Sequence, residues 1–95
     1  MKYFSWNNSK NDKLKKERKI SFEDVVLNIT KGKLLAVVQH SNQAKYKGQK
    51  KFIVEINNYA YLVPFVENEK EIFLKTIIPS RKATKEYLKR KNHEI

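Results

Sequence analysis

The chain has 95 residues and carries 21 Lys and Arg against 10 Asp and Glu, for a net charge of +11. At that length it forms one domain, able to bury roughly 60–65% of the surface its unfolded chain exposes, and a second domain is excluded. Cysteine is absent, which excludes a disulfide framework and thiolate zinc sites and leaves stability to packing.

Residues 1–6 alternate weakly and read as a short edge strand. Asn7 to Lys19 is polar, with Leu14 its one large apolar residue, and reads as a solvated helix. Signals sharpen at Ile20. Ser21 followed three residues later by Asp24 is a variant of the capping box, and Ile20 with Val25 is placed as a hydrophobic staple. Phe22, Val25, Val26 and Ile29 then follow the spacing of one buried helical stripe, and Gly32 stands where a left-handed cap ends the helix near Lys31. Leu34 to Gln39 is an aliphatic run of strand length, and His40 to Gln49 is too hydrophilic for core and reads as a long basic loop.

Phe52, Val54 and Ile56 alternate with their neighbours, and Asn57-Asn58 offers two residues that tolerate positive φ in a tight hairpin. Tyr59 to Val66 returns as the next strand. Glu67, Glu69 and Glu71 make an acidic hairpin tip that would repel a polyanion, and Ile72 to Ile78 is the third arm of the meander. Pro64 lacks a ladder donor, so a bulge or a missing bond is expected there. Pro79 ends the last strand, Ser80 can cap, Ala83 to Lys91 has the composition of a C-terminal helix, and 88–95 reads as a frayed tail. The expected architecture is an α+β single domain over 1–95, in the order β-α-α-β-β-β-β-α. It holds an antiparallel four-stranded sheet, two N-terminal helices and a C-terminal helix, with the helices on one sheet face and the other face open.

The opening Met1 to Asn8 does not reach the apolar run of a signal peptide, and the longest such run, Tyr59 to Val66, is too short to span a bilayer. A cytoplasmic location is expected, with no membrane association. Charge is laid out in three clusters. They are Lys10, Lys13, Lys15, Lys16, Arg18 and Lys19; Lys45, Lys47, Lys50 and Lys51; and Arg81, Lys82, Lys85, Lys89, Arg90 and Lys91. Such a field attracts nucleic acid, an anionic membrane or an acidic protein, and charge alone does not choose among them.

Little else in the chain supports catalysis. His40 and His93 are far apart, which argues against a metal site, and two glycines are too few for a nucleophile elbow or a phosphate-cradling loop. Glu23 and Asp24 look like paired carboxylates, but in a first helical turn they serve the cap and the macrodipole. Chemistry without metal or cofactor remains. RNA supplies its own nucleophile in the 2′-hydroxyl, so a ribonuclease needs positioning, proton transfer and charge stabilisation. Arg81, at a strand end, is the best candidate to fork onto a phosphate, against the alternative of a solvated arginine at a helix start. Lys50, Tyr87 and His40 are the further candidates for catalysis. Lys16, Arg18, Lys19, Lys45, Lys47, Lys75, Lys82 and Lys85 are candidates for binding the nucleic acid, with Tyr46 among them able to stack a base. The bland readings are a soluble lysine-rich loop, a surface His40, and a Tyr87 that packs the terminal helix. Tyr59, Tyr61 and Phe65 on one strand face read as core, as does Trp6.

Two segments resemble a known family, the BrnT-like toxins, small bacterial ribonucleases of RelE/ParE-like fold encoded beside an antitoxin. Phe4-Ser5-Trp6-Asn7, Lys10-Asn11 and Ile20-Ser21-Phe22-Glu23-Asp24-Val25 look like that family's F-x-W-D, K-N and I-S-F-E-x-A elements in order. Ile77-Ile78-Pro79-Ser80-Arg81-Lys82-Ala83-Thr84 is similar to its I-I-S-A-R-x-A-T ending. Asn7 replaces the family's aspartate, Arg18-Lys19 its Lys-His-Gly, and Thr76 an arginine often found in the last strand, so only Arg81 carries over cleanly. The resemblance implies a metal-independent endoribonuclease that cleaves mRNA, with RNA as substrate and an acidic, DNA-binding antitoxin as partner. Two other readings stay open: a non-enzymatic nucleic-acid-binding module, and a toxin of the same fold acting on a protein such as a topoisomerase.

Overall fold

A computed structural model describes residues 2–39, 44–45 and 48–89 of the chain. In order these form β1 (Tyr3–Trp6), α1 (Asn8–Arg18), α2 (Phe22–Thr30), β2 (Leu34–Gln39), β3 (Lys50–Ile56), β4 (Tyr59–Glu67), β5 (Glu71–Leu74), β6 (Ile78–Pro79), α3 (Arg81–Thr84) and a π-helical segment, Lys85–Lys89. The class is α+β, as expected, but the sheet is not an antiparallel four-stranded one. Its order is β1-β5-β4-β3-β2, with β6 on β4, and β1 runs parallel to β5. No helix among the described residues is long and apolar enough to cross a membrane.

The local signals resolve as the residues dictate. Asn7 caps α1 by accepting from the Lys10 N–H, and Lys19 closes it in the left-handed region at φ 55°. At α2 both halves of the capping box form: the Ser21 hydroxyl accepts from the Asp24 N–H and the Asp24 carboxylate from the Ser21 N–H. Gly32, at φ 84°, turns the chain out of α2 into β2. Asn57 and Asn58 both hold positive φ, 53° and 65°, the pair of left-handed residues that a two-residue hairpin needs between strands of right-handed twist.

Two departures from expectation follow from non-local pairing. The chain direction of a four-residue strand is not written in its alternation; here α1 and α2 deliver β1 to the free edge of β5, where Phe4 lies beside Ile72 and Trp6 beside Leu74. The Ile72 to Ile78 arm, read as one strand, breaks into β5 and β6. Pro64 sits opposite Lys51 with no register shift in the β3–β4 ladder. Its carbonyl accepts from the Lys75 N–H at 2.8 Å, but its nitrogen has no proton to return. Beside that missing donor Thr76 and Ile77 leave the sheet, Ile77 drops into the core, and its carbonyl takes the Arg18 guanidinium at 2.8 Å. β6 then resumes pairing at Leu62.

The main core lies between α1–α2 and one sheet face. Phe22, Val25, Val54, Val63, Leu74 and Ile77 are fully buried there. Phe52 stacks on Phe65 with centroids 3.9 Å apart, Trp6 stacks on Phe22 at 5.7 Å, and Tyr61 packs against the same cluster, so Trp6, Tyr61 and Phe65 belong to the core as read, whereas Tyr59 is half-buried outside it, edge-on to Tyr61. The expectation of an open second face needs correction. Ala83, Tyr87 and Leu88, from α3 and the π-helical segment, pack on Ile53, Ala60 and Leu62 there, because β-strand alternation leaves these three apolar side chains pointing away from the main core.

Candidate nucleic-acid interface

The C-terminal segment is fastened to the sheet by its own small polar residues. The Ser80 hydroxyl accepts from the Ala83 N–H, capping α3. The Thr84 hydroxyl donates to the Ser80 carbonyl at 2.8 Å and accepts from the Ala60 N–H at 2.9 Å. Ala83 and Thr84 are buried. Within Ile77 to Thr84, Ile77, Ser80, Ala83 and Thr84 therefore each have a packing or capping task. Arg81 does not: it is exposed at the first position of α3, and no hydrogen bond or ion pair holds its side chain among the described residues.

Where α3 and the π-helical segment lie across the second face, a groove of about 240 Å³ opens. Lys51 enters it from β3, Val38 from β2, and Ser80, Lys82, Glu86 and Tyr87 from the C-terminal segment, over a floor of Ile53 and Leu62. The groove thus has an apolar base and cationic walls. Lys82 and Glu86 are exposed, Lys51 and Tyr87 half-buried.

Lys50 stands apart from this groove. It pairs with Phe65 on the core side of the sheet, and its Nζ lies 3.2 Å from the Glu67 carboxylate, which also holds the Lys2 ammonium at 2.7 Å. Those two ammonium donors keep the Glu67 carboxyl below its ordinary pKa, with Lys2 the larger cause. Lys51, its neighbour, was overlooked as a single candidate although it belongs to the basic cluster. The signal was present in the alternation: if Phe52, Val54 and Ile56 face the core, so does Lys50, and Lys51 faces the other way.

The remaining candidates are dispersed. Lys16 and Lys19 are exposed at the end of α1, and Arg18 is committed to the Ile77 carbonyl. Arg18 also lines, with Lys10, Lys13, Glu17 and Thr76, a second groove of about 200 Å³ on the α1 side. Lys75 is exposed beside Pro64, Lys85 is exposed at the start of the π-helical segment, and Lys45 is exposed in its turn. His40, Tyr46, Lys47, Arg90, Lys91 and His93 lie outside the described residues.

Asn11 explains part of the N-terminal motif in structural terms. It is buried, its amide donates to Glu23 at 2.7 Å and its carbonyl accepts from the Phe22 N–H at 2.8 Å, tying α1 to the first turn of α2. That amide bond is the main cause holding the Glu23 carboxyl below its ordinary pKa, and Lys15 adds a smaller attraction from 3.9 Å. The paired carboxylates Glu23 and Asp24 thereby serve helix termini. No family model, no curated protein and no solved structure matches the chain.

Proposed function

We propose that the chain is the toxin of a toxin–antitoxin pair, a metal-independent endoribonuclease of RelE/ParE-like fold that cleaves mRNA. The observation that carries this reading is the exposed Arg81, held by no hydrogen bond or ion pair among the described residues and flanked in sequence by residues that line a groove walled by lysines and Tyr87. In the reaction the RNA 2′-oxygen attacks phosphorus, the bond to the 5′-oxygen breaks, and a 2′,3′-cyclic phosphate and a 5′-hydroxyl result. The proton lost from the 2′-hydroxyl is balanced by one gained at the departing oxygen. Arg81 offsets charge on the non-bridging oxygens, a role worth about 10²–10³ in rate for one well-aimed donor, and Tyr87, whose side chain lines the groove, is the candidate for proton transfer. An acidic antitoxin would cover the cationic surface at rest.

Induced expression in a bacterial host, with mRNA 5′ ends mapped by primer extension, tests this. Wild type gives growth arrest and new 5′ ends; Arg81→Ala, equally folded by circular dichroism, gives neither. Arrest with intact RNA would instead favour a protein target. One observation favours a second reading, a binding module that does not cleave: Lys50, a candidate for proton transfer, is turned from the groove and held by Glu67. That reading requires intact RNA together with binding whose log K falls by about 0.7 per phosphate contacted for each unit of log salt.

A further inference from the structure

We infer that the groove between the second sheet face and the C-terminal segment is a seat for a single internal phosphodiester of RNA, with Lys51 and Lys82 as its two cationic contacts. The inference rests on the ribonuclease reading and deepens it by naming a binding site. Three features carry it. First, the lining sets two lysines against one carboxylate, Glu86, so the groove's own charge is +1 and matches one phosphodiester rather than a doubly charged terminal phosphate. Second, at about 240 Å³ the groove is smaller than the ~300–1,000 Å³ typical of sites that enclose a whole small molecule, and suits one link of a chain that passes through. Third, neither Lys51 nor Lys82 is in an ion pair among the described residues, whereas Lys50 is already paired with Glu67. The apolar floor of Ile53 and Leu62 lowers the local dielectric, which strengthens a lysine–phosphate contact at its edge. Exposed Arg81 and Lys85 flank the seat in sequence and can meet the neighbouring phosphates.

Adjacent lysines on opposite sheet faces provide an internal control, because Lys50→Ala and Lys51→Ala remove the same charge. The probe is a fluorescein-labelled 2′-O-methyl RNA oligonucleotide, which keeps RNA geometry and cannot be cleaved, titrated by anisotropy at several salt concentrations. Lys51→Ala is expected to weaken binding about tenfold and to lower the salt slope by about one phosphate contact, and Lys50→Ala to change affinity by less than about twofold. Lys82→Ala, at an exposed position, should repeat the Lys51 effect without any change in thermal midpoint, which guards against a folding defect in half-buried Lys51. Equal losses at Lys50 and Lys51 would reduce the effect to net charge and overturn the seat, as would a Lys82→Ala that binds like wild type. If wild type cleaves mRNA in cells while these variants all bind alike, the seat falls and the ribonuclease reading stands. Wild type that neither binds the probe nor cleaves overturns both.

Discussion

The two faces of the sheet have been treated differently. On the α1–α2 side aromatic rings stack, buried Asn11 has both ends of its amide bonded, and even the lysine that points that way, Lys50, is neutralised by Glu67. On the other side a short helical segment rests on a thin apolar cluster of Ile53, Ala60 and Ala83, and Lys51 and Lys82 beside it are in no ion pair among the described residues. The difference teaches where to look. One face is organised to hold the fold together, and the other keeps charge available at little structural cost, which is what a site for an anionic partner requires.

Substitutions on the first face should damage stability. Phe22→Ala removes a fully buried ring that stacks on Trp6, and should cost about 3–5 kcal/mol, a large part of the stability of a domain this small. Urea denaturation of the full chain measures it; a loss below about 1 kcal/mol would mean the face can collapse around the gap and the contrast is weaker than drawn. Asn11→Ala is expected to cost about 1–3 kcal/mol, because it strands the Phe22 N–H in the interior. Arg81→Ala and Lys82→Ala should leave the urea midpoint where it was. If either lowered it by as much as Asn11→Ala, the second face would be structural too.

The parts of the fold that were legible in the sequence are those set by neighbours in the chain. Ser21 with Asp24, Gly32, and Asn57-Asn58 each dictate a backbone conformation within a few residues, and α2, β2 and the β3–β4 hairpin begin and end as those residues require. What escaped was set by distant pairing. The parallel run of β1 depends on where two helices deliver it, and the break at Thr76–Ile77 depends on a proline on the neighbouring strand. Pro64 drew notice as a risk, but its consequence appears one strand away. The site shows the same division. Arg81 stood out from local context, while the choice of Lys51 over Lys50 as the groove residue needed the two-residue period to be carried through from the core positions of β3.

The smallest expected effect is on pH, and it too separates the faces. Glu23 and Glu67 are both held below the ordinary carboxylate value of 4.5, Glu23 chiefly by the Asn11 amide and Glu67 chiefly by Lys2 and then Lys50. A carboxyl whose folded pKa is depressed contributes stability that is fully present above its unfolded value, near 4.3, and is lost as pH falls through the folded value. The chain should therefore keep a flat urea midpoint from about pH 8 to 5.5 and lose stability on acidification below about pH 4.5. In Glu23→Gln/Glu67→Gln that acid slope should be shallower, and the gap between wild type and variant should narrow in high salt, because both carboxylates are exposed enough to be screened. If the double variant lost as much stability as wild type over the same acid range, these two contacts would not be the pH-dependent part of the first face.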